Sequence, residues 1–292
     1  QMKAIGMGDL KKVRAIDKES GWSIQSTTGV LAWCNEVAAL PVRNFRKTQH
    51  PDAWKIDGER LNAARIATYG CPNCTMHCGI TIHDREGRES ELDYENIGLL
   101  GANLEIFDLD QVGSLNYLCD DYGIDTISAG CSLSFYADAI EHGATTGDFR
   151  FGDAERAKQL LGLAARREGE LGNLLADGTL QMARRFGHGS EAYAMQVKGL
   201  EVAAYNCKFI PGMALAFGTS PIGAHHKEAW VITFELKQTA RDSYGREKAE
   251  KVVELQRIRG GLFEFMVACR FPWVELGWDL KNYPVYFNKA TG

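Results

Sequence analysis

Three cysteines fall within eight residues in Cys71-Pro-Asn-Cys74-Thr-Met-His-Cys78, and this spacing constrains the chain more than any other feature. Thiolates are soft ligands, and a C-x2-C-x3-C run lets one short loop wrap a single ion or cluster from several directions. The loop also carries Pro72, Asn73, Thr75 and Gly79, turn formers that argue against three chance core thiols. Three ligands suit a [4Fe–4S] cluster whose fourth ligand lies far away in sequence, or a tetrahedral zinc completed by His77. Zinc sites more often present two ligand pairs, and the chain has no second C-x2-C, so the cluster is favoured. The other five cysteines, at 34, 119, 131, 207 and 269, are scattered. With no secretory signal and thiols at metal-ligand spacing, the expectation is a reduced, cytoplasmic protein.

Composition narrows the partners. A length of 292 residues suggests about two domains, and 45% hydrophobic with 24% charged residues is a globular balance rather than a disordered one. Thirty-three basic against 38 acidic residues leave a net charge of −5, which is no footprint for a phosphate backbone, so nucleic acid is not an expected partner. No apolar run approaches the ~18 residues of a membrane span. Gln1 precedes Met2, which is not how translation starts, so the sequence is expected to be a piece of a longer protein.

Hydrophobic spacing predicts a mainly α fold with few short strands. Residues 1–57 read as extended or irregular. Leu61, Ala64, Ile66 and Ala67 predict a helix over 58–69, capped by Gly70 and followed directly by the cysteine loop. Further helices are expected over 108–122, 132–142, 153–168 and 172–186, then 248–258 and 261–268. Between them, 198–226 reads as an irregular, glycine-punctuated stretch. The chain is divided into a helical unit over 1–197, which holds the cysteine loop, and a second over 198–292.

Several stretches read together as one pattern. They are Cys71 to Gly79; Asp93-Tyr-Glu95-Asn-Ile-Gly98-Leu-Leu-Gly101; Cys119-Asp-Asp-Tyr-Gly123-Ile-Asp125; Val197-Lys-Gly-Leu-Glu201; and Ala216-Phe-Gly-Thr-Ser-Pro-Ile-Gly-Ala-His-His226. In order and spacing they resemble the aldehyde ferredoxin oxidoreductase family, over its middle domain and the front of its third. The resemblance implies a tungsten (or molybdenum) ion on two pterins beside a [4Fe–4S] cluster, aldehyde oxidation to a carboxylic acid, and electron transfer to ferredoxin. It implies Cys269 as the fourth cluster ligand beside Cys71, Cys74 and Cys78. Around that cysteine the chain has Glu264, Val267 and Ala268 where the family carries aspartate, glycine and leucine.

By the same resemblance, His226 and Glu95 are the catalytic candidates, an imidazole and a carboxylate suited to proton transfer near neutral pH. Asp120, Gly123, Ile124 and Asp125 would contact a pterin, with carboxylates accepting its N–H groups, and Lys198 and Gly199 would shape a further pterin contact. The family's preceding, β-rich pterin base would be missing, Met2-Lys-Ala-Ile5 resembling its last strand, and a homodimer is left open. Other readings kept are a relative acting on another substrate, such as an aromatic acyl-thioester reductase, an iron–sulfur electron-transfer module without catalysis, and a zinc-stapled helical domain.

Overall fold

The computed structural model describes residues 22–72, 74, 76–264, 269–271 and 279–291. Met2–Ile5, Asn73, Thr75, Val267 and Ala268 lie outside the described residues. The first half runs α1 (Trp22–Gln25), α2 (Val30–Glu36), α3 (Gly58–Ala64), β1 (Ala67–Tyr69), β2 (Gly79–His83), β3 (Glu89–Leu92) and the short turn α4 (Tyr94–Asn96). Five helices follow: α5 (Leu109–Tyr122), α6 (Thr126–Glu141), α7 (Ala154–Arg166), α8 (Gly169–Asp177) and α9 (Thr179–Phe186). Then come β4 (Gln196–Val197), β5 (Leu200–Glu201), α10 (Pro211–Thr219), α11 (Ile232–Gln238), α12 (Arg246–Leu255) and α13 (Asn282–Thr291). The mainly helical expectation holds, and the strands form a three-stranded antiparallel sheet in the order β1-β2-β3 and a small β4-β5 hairpin.

Aspartate side-chain caps set the starts of α3, α5, α6 and α7. Asp57, Asp108, Asp125 and Asp153 each accept a backbone N–H from the first turn they open, at 2.9, 3.2, 2.7 and 3.0 Å. Gly123, at φ 69°, ends α5 in the left-handed conformation that glycine adopts without strain. Helix α6 lies at the centre: every residue from Ala129 to Ala139 is buried. Its Asp138 is fully buried and accepts hydrogen bonds from Asn44 Nδ2 (2.9 Å) and Arg46 Nη1 (2.8 Å), which anchors the turn before Lys47 to the core.

Four expectations change. The helix expected over 58–69 stops at Ala64: Arg65 is extended (φ −60°, ψ 128°), and Ala67, Thr68 and Tyr69 pair with Thr81, Ile80 and Gly79. The cysteine loop therefore follows a strand and closes a β-hairpin, because the few apolar positions at 61–67 fit a helix and a half-buried strand equally well. The helix expected over 172–186 is two helices, broken at Gly178 (φ 85°). The stretch 198–226 contains helix α10, which is apolar on several faces and so lacks an amphipathic signature. Residues 22–57 also hold helical segments that short length hides from periodicity.

The position of α4 depends on one tight crossing. A Cβ placed on Gly130 of α6 would come within 2.7 Å of Leu99 C, O and Cβ, in the turn that continues α4 over residues 97–101. Gly130→Ala should lower stability by about 1–3 kcal/mol, as overpacking does, and a denaturant titration should show a lower midpoint at unchanged slope.

Candidate functional site

The cysteine loop is held at both ends by glycines in close contact. A Cβ on Gly70 would lie 2.8 Å from His77 Cδ2, and one on Gly79 would lie 2.1 Å from Glu91 Oε1 and 3.2 Å from Tyr69 O. Inside the loop, Cys74 N donates to Cys71 O at 2.9 Å and Met76 N to Cys74 Sγ at 3.4 Å. Ser26 Oγ donates to Cys78 O, tying the loop to the N-terminal helices. Met76 is buried against Trp22, Cys74 and Phe271, so the segment after Cys269 packs on the loop. Burial pushes the Cys78 thiol up to about 11, helped by the nearby thiols of Cys269, Cys74 and Cys71. Cys269 thus stands in the neighbourhood of the loop although 191 residues separate it from Cys78. Among the described residues no three His, Cys, Asp or Glu side chains are set in metal-binding geometry. The donor set is nonetheless soft sulfur from four residues, which suits an iron–sulfur cluster better than a hard cation.

The acidic turn follows β3. Asp93 Oδ1 accepts from Glu95 N (2.9 Å) and Asn96 N (3.2 Å), while Asn96 Oδ1 accepts from Asp93 N (2.7 Å), a reciprocal capping box. This box starts α4 and aims the next two side chains at residue 204. Tyr94 Oη donates to Ala204 O, and Glu95 Oε2 accepts from Ala204 N at 2.7 Å. The other carboxyl oxygen, Oε1, lies 3.0 Å from His226 Nδ1, and neither atom has a hydrogen-bond partner of good alignment.

Burial decides the charge state of this pair. It raises Glu95 to about 8, the N–H of Ala204 opposing and Asp93 and Asp125 adding to the shift. Burial lowers His226 well below its ordinary value, and Arg270, Arg259 and His225 lower it further. At neutral pH the two are therefore a carboxylic acid beside a neutral imidazole. The Tyr205 ring meets His226 edge-on at 5.3 Å and Trp230 at 6.0 Å. Neighbouring His225 turns elsewhere, its Nε2 3.7 Å from Glu228 Oε1.

Both features open on one cavity of about 330 Å³. Cys78, Gly79, Glu91, Asp93 and Glu95 line it from the sheet and the acidic turn. Tyr205, His226, Trp230, Arg259 and Arg270 line it from the C-terminal half, with Trp22 and Phe271 closing the side next to the loop. Of the other candidates, Asp120 adds to the upward shift of Glu91 and Asp93, and Asp125 to that of Glu95, so both carboxylates lie near the acidic turn, but both are exposed and neither lines this cavity. Gly123 links α5 and α6. Ile124 and Gly199 line a second cavity of about 330 Å³ between α6, α7 and α8. Lys198 Nζ donates to Ser220 O at 2.6 Å, and Gly199 N to Gln196 Oε1 at 2.8 Å. Tyr205, Trp230, Arg259 and Arg270 carry no spacing signal in the sequence and are found through the cavity alone.

A family model described as aldehyde ferredoxin oxidoreductase, domains 2 and 3, matches residues 7–292. The chain belongs to the aldehyde ferredoxin oxidoreductase family. Tungsten-containing aldehyde ferredoxin oxidoreductases of Pyrococcus furiosus and Thermococcus kodakarensis are 34% and 32% identical over 276 residues, covering 88% of this chain and 44% of each relative. The chain thus spans less than half the length of these relatives. A WOR-like subunit of an aliphatic sulfonate oxidoreductase from Pyrococcus furiosus is 30% identical over 58% of the chain and 29% of its own length. Among solved structures, the active site complex BamBC of benzoyl coenzyme A reductase with 1,5-dienoyl-CoA superposes with a TM-score of 0.58 at 23% identity, over 70% of this chain and 33% of that one. That likeness is one of fold. No described helix is long and apolar enough to cross a membrane.

The raised Glu95 gives a pH signature. Folded Glu95 holds its proton to about pH 8 and unfolded Glu95 releases it near 4.5, so stability should fall as pH rises between these values and level off above. Glu95→Gln should remove that slope, about 1.4 kcal/mol per pH unit, from denaturation curves taken across pH 5–8.

Proposed function

We propose that this chain is the catalytic and cluster-binding part of a tungsten-dependent aldehyde oxidoreductase. The observation that carries the reading is that a single cavity joins Cys78 of the cysteine loop to the partly buried Glu95–His226 pair. Cys71, Cys74, Cys78 and Cys269 would hold a [4Fe–4S] cluster. Asp120, Gly123, Ile124 and Asp125 would meet pterin N–H groups and ring edges, and Lys198 and Gly199 would support the same cofactor. The remaining pterin contacts belong to a further domain, in line with the greater length of the relatives.

The reaction is RCHO + H2O → RCOOH + 2H+ + 2e−. Bound there, a tungsten–pterin group would supply a two-electron acceptor, and the cluster would supply a one-electron route outward to a carrier such as ferredoxin. The chain's own residues handle protons and position. Protonated Glu95 can donate a hydrogen bond to the carbonyl oxygen through Oε1, the atom that the Ala204 N–H leaves unused. Neutral His226 can take a proton from the attacking water at Nδ1, and Tyr205 fixes its ring. The surrounding aromatic side chains thin out the water that would level these differences.

Elemental analysis of the anaerobically purified full-length protein tests the reading: four irons and one tungsten per chain are expected, and zinc in place of iron would overturn it. Cys269→Ser should lower iron and sulfide together. His226→Ala should keep both metals while kcat falls by roughly 100-fold or more, the usual weight of a general acid–base group.

A further inference from the structure

The cavity has two electrical sides. β3 and the acidic turn contribute carboxyl groups to its lining, and the C-terminal half contributes the guanidinium groups of Arg259 and Arg270, of which Arg270 also acts on Glu95, against the effect of burial. Arg259 is 2% exposed, so its charge lies inside the protein, and both arginines act on His226 from this side. Carboxyl groups recognise N–H donors such as those of a pterin, whereas a guanidinium recognises oxyanions. Each guanidinium has five N–H donors in a fixed fork, enough to keep a protein partner and still offer hydrogen bonds to a guest.

Between the arginines and the catalytic pair the walls are aromatic. Trp22 and Phe271 stand 4.7 Å apart at 54°, Tyr205 and Trp230 6.0 Å apart at 73°, and the Arg270 guanidinium lies 4.9 Å from the Phe271 ring centre. These rings turn both faces and edges to the cavity, surfaces on which a planar aromatic guest can stack or pack edge-on.

We propose that Arg259 and Arg270 form an oxyanion-recognition subsite that selects planar aromatic aldehydes bearing a second, anionic group remote from the carbonyl. The inference rests on the aldehyde-oxidoreductase reading and adds its substrate class. The aldehyde and one water together yield the carboxylic acid, two protons and two electrons, the electrons going to the acceptors already named, and the remote carboxylate is unchanged. A phosphate of the pterin cofactor is the other oxyanion that such a subsite could hold, and the test separates the two.

Using full-length holoenzyme, 4-carboxybenzaldehyde is compared with 4-methylbenzaldehyde, a neutral ring of similar size. The anionic aldehyde should be favoured in kcat/KM by about 10–100-fold, mostly through KM, as charge-assisted hydrogen bonds of about 1.5–3 kcal/mol allow. Arg270→Gln and Arg259→Gln should each cut that preference by about tenfold, with tungsten content retained, and Arg270→Lys should restore only part of it. Equal kcat/KM for the two aldehydes in the wild type overturns the proposal. Loss of tungsten in the Gln variants also overturns it and gives the guanidiniums to the cofactor phosphate. Equilibrium dialysis with 4-methylbenzoate against 4-methylbenzamide, its uncharged analogue, reads the subsite without turnover: tighter binding of the carboxylate, lost in Arg270→Gln, supports it even if neither aldehyde is oxidised, an outcome that would sink the parent reading instead. Equal binding of the two sinks the subsite.

Discussion

The geometry of the site depends on how two consecutive side chains grip one peptide. Tyr94 donates to the carbonyl of Ala204 and Glu95 accepts from its N–H, so both backbone groups of a buried, non-sheet residue are satisfied from the acidic turn. The grip needs small residues: a Cβ on Gly98 would come within 2.8 Å of Ala204 Cβ. The segment continues under the same rule, with Asn206 donating from its side chain to Phe45 O (2.8 Å) and Lys47 O (3.0 Å) and from its backbone to Ala39 O (2.7 Å). Ala203 N donates in turn to Ala224 O at 3.0 Å, two residues before His226. Glu95 and His226 are 131 positions apart in sequence, yet only a few hydrogen bonds separate them in space.

The same burial that satisfies the backbone leaves charge expensive. Asp93 is held by two N–H donors and is still pushed up by burial, and Asp120 pushes it further. Glu91, Asp93, Glu95, Asp120 and Asp125 stand near one another: Asp93 adds to the upward shift of Glu91 and Glu95, Asp120 to that of Glu91 and Asp93, and Asp125 to that of Glu95. A wall of this composition favours a guest rich in N–H groups, which would offset the crowding. Glu95 differs from its neighbours in having one oxygen committed to the backbone and the other turned to an imidazole, which makes it the carboxyl group best placed for proton work.

How far the sequence reveals this depends on the length over which each signal acts. The Cys71-to-Cys78 spacing and the Asp93-to-Asn96 capping box are local, and both can be read directly from residue types. The helices over 108–122 and 153–168 are legible because caps and amphipathic spacing agree. Strand β1 is illegible for a physical reason: three residues alternate too briefly to compete with a helical pattern, and the pairing with Gly79–Thr81 that decides the matter crosses the cysteine loop. Helix α10 escapes because its exposed face, with Ala214, Leu215 and Gly218, carries as little polarity as the buried one. Arg259 and Arg270 escape because nothing in a single arginine codon's surroundings tells a surface cation from one facing a cavity.

The C-terminal half needs its own anchor if its wall is to keep register with the acidic turn. Glu235 supplies it: fully buried, it accepts from Gly212 N (2.7 Å) and Met213 N (2.9 Å) at the start of α10 and lies 3.2 Å from Lys248 Nζ on α12. The carboxylate meets both the positive end of a helix and a buried ammonium, so three helices converge on one charge that would be costly to bury alone. Gly212 is required there, since a Cβ would lie 2.7 Å from Glu235 Cδ. The loop bearing His225 and His226 leaves the far end of α10, so its root is fixed by Glu235 and its tip by Ala203. A histidine suspended between two such anchors can stay 3.0 Å from Glu95 without a hydrogen bond to hold it there, which leaves its Nδ1 available to whatever enters the cavity.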